Sequence, residues 1–384
     1  MKKQQFDYII CGGGASGLLL LKALSEDSFF DSSQILLIEK ENKNSNDRTW
    51  CFWEEKESDF EKLLFKKWKT AQFVSENLHL EMDLYPYQYK MLRSQSFYET
   101  LNKVSQKHKN ITRVKAFIKD FQSAGQNTTV FTNQGIFESQ KVLNSLFDPK
   151  PLFTQKKYPV LQQHFLGWFI QTDHDCFDPK KILFMDFNIQ QKNETRFLYV
   201  LPTDKRNALF EYTLFSKDVL EKQEYEQGIK NYLEAKEIDN YRITEKEQGN
   251  IPMSCFPFEQ LNTSSLLHIG TAGGWTKAST GFTFQNTQRQ ILRLVPYLKQ
   301  DKPLDGFTTK NRFRFYDLLF LEVLTQHNAK GSELFERMFA KNPSLRVFRF
   351  LDEQTSLWEE LKIMSSFSLK QIGWFLGALK KQLF

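Results

Sequence analysis

The hydrophobic pattern changes period several times along the chain, and each change marks an element. Residues 6–11 form a short apolar run that predicts a buried strand. Residues 12–17 are a glycine-rich turn. Residues 15–25 then read as a helix with leucines 18–21 packed inward, and residues 34–39 return as a second apolar strand closed by an acid. Strand, helix, strand in that order opens a parallel sheet. Residues 95–107 predict a helix and 141–144 a strand. From about 159 to 251 the pattern shortens into β-like runs, including Trp168-Phe169-Ile170, Ile182-Leu183-Phe184-Met185 and Phe197-Leu198-Tyr199-Val200-Leu201. Residues 218–236 read as helix, 266–270 as a buried strand followed by glycines, and 283–298 as another helix. The last seventy or so residues are mostly helical and amphipathic.

Composition changes this picture little. With 384 residues, 40% hydrophobic and 26% charged, the chain has room for two domains of an ordinary globular kind. No apolar run approaches the roughly 18–20 residues that span a bilayer, and the N-terminus runs straight into a strand pattern with no secretory leader. Cys11, Cys51, Cys176 and Cys255 have no metal-ligand spacing and read as free thiols of a reducing cytosol. The six histidines form no HxxH or HxH pair, so no metal is expected. The net charge of +6 fits a solvated lysine-rich surface or weak attraction to an anionic membrane, and gives no pattern for nucleic acid.

The first chemical signal is Gly12-Gly13-Gly14-Ala15-Ser16-Gly17, a G-x-G-x-x-G run. Gly12 permits a tight turn, Gly14 lets a pyrophosphate approach the backbone, and Gly17 lets helix and strand pack closely. The helix N-terminus beginning at Ala15 offers free N–H groups to phosphates. Glu39 ends the second strand 22 residues after Gly17, where an acid binds a ribose. A second small-residue element, Gly270-Thr271-Ala272-Gly273, follows a strand and is suited to another part of the same cofactor. The predicted fold class is α/β. A Rossmann-like FAD-binding domain from residues 1–75, 95–150 and 265–305 carries an inserted strand-rich substrate domain, 76–94 and 151–264, and a helical tail, 306–384.

Several further segments resemble one family in its own order. Asp47-Arg48-Thr49-Trp50, the strand pair carrying Phe210-Glu211-Tyr212-Thr213, Gly249-Asn250-Ile251-Pro252-Met253, and Gly273-Gly274-Trp275-Thr276-Lys277 through Ser279-Thr280-Gly281-Phe282-Thr283-Phe284 are similar to motifs of bacterial lycopene cyclases. The resemblance covers most of residues 1–290. It implies the fold of FAD-dependent hydroxylases and geranylgeranyl reductases, of glutathione-reductase-like or aromatic-hydroxylase-like type. It implies cyclisation of lycopene, or a related acyclic carotenoid, through γ-carotene to β-carotene with no net redox change. The cofactor it implies is reduced FAD, kept reduced by NAD(P)H, in a cytoplasmic enzyme held peripherally at the membrane. Thr271 stands where many hydroxylases carry Asp.

Ring closure of this kind needs a proton donor, a water-poor place for a tertiary cation, and a route for a proton to leave. Glu211 lies in an apolar run, and burial raises a carboxyl pKa toward that of a general acid. Trp50, Trp168, Phe169, Tyr199, Tyr212, Trp275 and Phe282 are candidate lining residues, since aromatic faces attract cations. Arg48 is a candidate flavin or phosphate contact, with Asp47 as its paired partner. Residues 312–321 and 372–381 combine basic and aromatic positions and are candidates for a membrane surface. Two other readings are a redox flavoenzyme acting on an isoprenoid as reductase or monooxygenase, and a non-catalytic isoprenoid-binding protein.

Overall fold

The structure, a computed structural model, describes residues 3–309 and 311–383. Its nucleotide-side core is a five-stranded parallel sheet in the order β19 (Leu266–His268), β13 (Lys141–Asn144), β2 (Tyr8–Cys11), β3 (Ile35–Glu39), β9 (Ile111–Lys115). Strands buried on both faces read as unbroken apolar runs, and this is why Ile9, Ile10 and Ile35 to Ile38 show no polar alternation. One face is covered by helices α1 (Ala15–Ser25), α2 (Ser94–Gln106) and α5 (Phe284–Leu298). The other face packs on a small sheet of β1 (Gln4–Gln5), β12 (Ile136–Ser139), β11 (Asn127–Thr132) and β10 (Ile118–Ala124).

A seven-stranded sheet forms the second body. Its order is β18 (Tyr241–Met253), β14 (Leu161–Thr172), β17 (Asn207–Ser216), β16 (Thr195–Pro202), β15 (Lys181–Asp186), β6 (Thr70–Ser75), β7 (Leu78–Asp83). Side chains alternate between its faces. Leu166, Trp168, Leu198, Phe210 and Tyr212 pack on one side against Tyr225, Ile229 and Leu233 of helix α4 (Lys222–Ala235). A three-stranded sheet, β4 (Thr49–Glu54), β8 (Gln88–Arg93) and β5 (Leu64–Trp68), stands between the two bodies. The division drawn from the sequence differs at two places: residues 70–75 pair into the large sheet, and β8 pairs with β4 and β5 instead of joining it. These strands are six residues each, too short for their pattern to announce their partners.

After the short helix α3 (Lys150–Thr154), the remaining helices are C-terminal: α6 (Phe313–His327), α7 (Gly331–Lys341), α8 (Ser344–Leu351), α9 (Leu357–Ser365) and α10 (Leu369–Leu383). Phe335 and Phe339 of α7 stack on Phe187 and on Phe73 of β6, closing the other face of the large sheet. A capping box starts α9: Ser356 Oγ accepts from the Glu359 N–H, and the Ser356 N–H donates to Glu359 Oε2.

Candidate active site

The glycine-rich turn closes as the spacing requires. Gly12 has φ +98°, and a Cβ there would lie 2.3 Å from Ser145 Oγ. A Cβ on Gly17 would lie 1.9 Å from the Gly12 carbonyl oxygen, so only glycine lets α1 approach β2 this closely. Gly14 faces open space. Gly270, at φ +62°, seats the second element against the first turn of α1, where a Cβ would meet Ser16 Oγ at 2.0 Å. Two cavities meet at Lys43. One, about 150 Å³, lies beside Gly13, Glu39, Asn42 and Lys115. The other, about 500 Å³, runs from Gly14, Ala15 and Ser16 past Arg48, Trp50 and Thr271 to Glu211. Glu39 accepts from the Gly13 and Glu41 N–H groups at 2.6 and 2.9 Å, which fixes its carboxylate beside the smaller cavity. A long, bent space with a helix N-terminus near its middle and an acid at one end fits a dinucleotide.

The far end of the large cavity is floored by one transverse row of the seven-stranded sheet. Tyr199 of β16 is in register with Glu211 of β17, Glu211 with Gly167 of β14, and Gly167 with Glu247 of β18. Residues in such a row share a face, so both carboxyl groups look into the cavity across a strand that has no side chain between them. Glu211 accepts a 2.9 Å bond from the Thr213 hydroxyl and is buried beside Tyr199, Tyr89, Cys51 and Glu247. Burial, reinforced by the charge of Glu247, pushes its pKa up to about 8. Glu247 is also raised by burial, but the Thr49 hydroxyl donates to it at 2.6 Å and Arg93 and Arg48 favour its charged form. The two environments differ, and the arginines near Glu247 make it the easier of the pair to ionise. Burial holds the Tyr89 and Tyr199 hydroxyls and the Cys51 thiol protonated beside them.

The cavity wall at residues 280–284 is held from behind. Lys277 Nζ donates to both Asp317 carboxylate oxygens, at 3.0 and 3.1 Å, and to Glu353 at 3.2 Å, while Ser279 Oγ donates to Asp317 at 2.7 Å. The hydroxyls of Thr271, Thr276 and Thr283 are linked at 3.0 and 2.9 Å, tying the second cofactor element to the same wall.

Residues 7–372 match the family described as Lycopene cyclase protein, nearly the whole chain. The chain belongs to the lycopene cyclase family. No curated protein matches the sequence. Among solved structures it is similar to a geranylgeranyl bacteriochlorophyll reductase-like protein from Thermoplasma acidophilum, at 12% identity and TM-score 0.60 over 99% of this chain and 97% of that one. A flavoprotein/dehydrogenase from Cytophaga hutchinsonii matches at 11% and TM-score 0.66, covering 99% of each. The halogenase PltM in complex with FAD matches at 12% and TM-score 0.62, over 91% of this chain and 82% of that one. The family and these likenesses give the chain a carotenoid-related role on an α/β flavoprotein fold.

The structure brings only part of the expected family site together. Gly14, Ala15, Arg48, Trp50, Tyr199, Glu211, Thr271 and Phe282 line the large cavity, and Gly13 and Glu39 the smaller one. Gly12, Gly17, Gly270, Ala272 and Gly273 line neither; the first three supply the turn and the close packing described above, and Ala272 is buried. Tyr212 is a correction. It is one residue from Glu211, so the pleat turns it to the opposite face, where Arg196 donates to its hydroxyl at 3.4 Å. Trp168 faces the same wrong way. Phe169 stacks under Arg93 outside this cavity. Trp275 is buried beside Phe307 in the core of the nucleotide body and touches a different, smaller cavity. The expected Asp47–Arg48 pair is also absent: Asp47 accepts from Lys43 and from the Tyr98 hydroxyl, and Arg48 donates to the Asp47 main-chain carbonyl. Sequence reading missed Glu247, Thr49, Cys51 and Tyr89. For Glu247 a signal exists, since it is in phase with Gly249 and Ile251 along a strand whose alternate residues are exposed.

Among the described residues no group of side chains is arranged for a metal, and no helix is long and apolar enough to cross a membrane.

Proposed function

We propose that this chain is a lycopene β-cyclase that closes the linear ends of lycopene to β-rings by acid–base chemistry with no net redox change, at a membrane surface where its substrate dissolves. The observation that carries this reading is the Glu211 carboxyl, held protonated to about pH 8 in the cavity reached by the dinucleotide turn.

The Glu211 O–H protonates the terminal alkene, forming a C–H bond and leaving a tertiary cation. Attack by the internal alkene forms the ring C–C bond, and return of a ring proton to the Glu211 carboxylate restores a double bond and the acid, so atoms and electrons balance as an isomerisation. The Glu247 carboxylate and the faces of Trp50, Tyr199 and Phe282 stabilise the cation. FAD is the dinucleotide that the residues fit: Gly14, Ala15 and Ser16 would hold its phosphates and Glu39 its ribose, and Arg48 and Thr271 would be available to contact it. When bound and reduced, with NAD(P)H as reductant, it supplies electron-rich character beside the cation.

The test is incubation of the FAD-loaded protein, reduced, with lycopene in liposomes. The expected product is cyclic and of unchanged mass, with no stoichiometric loss of nicotinamide; a reduced or oxygenated product rejects the reading.

A further inference from the structure

A separate cavity, about 240 Å³, lies among the C-terminal helices and is lined almost wholly by apolar side chains, among them Leu319, Phe335, Met338, Ile363, Phe367 and Leu379. It is smaller than the roughly 300–1,000 Å³ of sites that enclose a whole drug-sized ligand, so it suits a segment of a longer molecule.

Three observations say which molecule. First, the cavity adjoins the Glu211 cavity: Thr280 lines both. Second, the opposite end opens between α9 and α10, where the lining residues Met364 and Leu376 are 37% and 59% exposed. Third, the mouth is ringed by apolar side chains turned to solvent. Leu357, Leu361 and Met364 recur at helical spacing on one face of α9, and Leu369 and Leu376 on one face of α10. Lys362, Lys370 and Lys380 are exposed around them. Apolar residues fringed by lysines form the kind of surface that settles into a lipid headgroup layer.

The geometry points to the α6–α10 cavity as a binding site for a length of linear isoprenoid hydrocarbon, drawn from a lipid surface seated on the α9–α10 rim and led past Thr280 to Glu211. This rests on the cyclase reading for the identity of the chain that uses it. Residues 372–381 take part through Ile372, Phe375, Leu376 and Leu379, and residues 312–321 contribute Tyr316, Asp317, Leu319 and Phe320 to the inner wall.

The experiment is a fluorescence titration of the FAD-loaded full chain with diphenylhexatriene, a rod-shaped hydrocarbon, alongside lycopene turnover from liposomes. Met338→Trp fills the cavity from within; Leu376→Trp blocks the mouth at an exposed position where folding is not at stake. Wild type is expected to bind one probe per chain. Each variant is expected to weaken probe binding and slow lycopene turnover by about ten-fold, about 1.4 kcal/mol, with flavin content unchanged. Variants that bind the probe and turn over lycopene like wild type overturn the inference and leave the cyclase reading standing. Wild-type probe binding that both variants weaken, without any cyclic product, supports the hydrocarbon site and removes the cyclase reading instead.

Discussion

Glu211 and Glu247 sit on strands that do not touch each other, each in register with Gly167 on the strand between them. Two strand spacings of about 4.8 Å separate their backbones, and the missing side chain at Gly167 makes the room that the Glu247 and Leu209 side chains occupy. Glu247 thereby comes close enough for its charge to act on Glu211. Both accept from a threonine hydroxyl, but only Glu247 also has arginines favouring its charged form, and that asymmetry biases the proton toward Glu211.

Replacing Glu211 by Gln keeps the shape and the bond from Thr213 but removes the transferable proton. Cyclisation is expected to fall by about two to four orders of magnitude, the usual worth of a positioned acid, while flavin content stays at the wild-type level. Pigment analysis in a lycopene-accumulating host and the flavin absorbance of the pure protein check both halves; full activity removes Glu211 from the chemistry.

The rate should depend on pH through the same pair. Turnover needs Glu211 protonated, so kcat/KM is expected to fall above about pH 8. It also needs Glu247 ionised, and Thr49→Val removes the hydroxyl that favours that form. The acid limb of the profile is expected to move to higher pH in Thr49→Val with the flavin still bound. An unmoved acid limb separates Glu247 from the reaction.

Stability carries the opposite sign from that of most carboxylates. An unperturbed glutamate ionises near 4.5, whereas folded Glu211 keeps its proton to about 8. Between those values the folded state binds the extra proton, so this contribution is complete below about pH 4.5 and is lost as pH rises through 8. Chemical denaturation at pH 5, 7 and 9 should show a falling midpoint in wild type and a shallower fall in Glu211→Gln.

Gly167→Val tests the close packing over the central strand. A Cβ there would stand 2.9 Å from Leu209 Cδ1 and 3.1 Å from Glu247 Cγ, so the branched side chain displaces both. Overpacking of this kind costs about 1–3 kcal/mol, read as a lowered denaturation midpoint, and turnover is expected to fall further than flavin binding does.

Lys277→Met leaves Asp317 and Glu353 buried or half-buried without their cation. Breaking a buried ion pair from one side costs about 3–5 kcal/mol. The loss is expected to loosen the wall at residues 280–284, so melting temperature and the affinity for flavin should fall together. A variant with wild-type stability would mean that α6 holds this wall by apolar packing alone.

The sequence determined the parts whose signal is local. The α1 bounds, Ala15–Ser25, and β13, Lys141–Asn144, follow the apolar pattern residue for residue; α4 runs Lys222–Ala235 within a longer helical stretch. The glycine turn was legible because backbone sterics admit no other residue at Gly12 or Gly17, and the ordered motifs were enough to identify the family. What only the tertiary structure decided is which residues face which way and across what. Tyr212 and Trp168 looked like pocket residues because they neighbour the right positions in the chain, yet a pleated strand sends neighbours to opposite faces, and only the packing of α4 settled which face was which. Glu247 joins Glu211 through strand pairing across 35 residues of intervening chain, and Thr280 joins two cavities through helices that follow it. Local pattern reports on the nearest turn or pleat; register between distant strands and the docking of the last five helices are set by contacts that no short window of sequence contains.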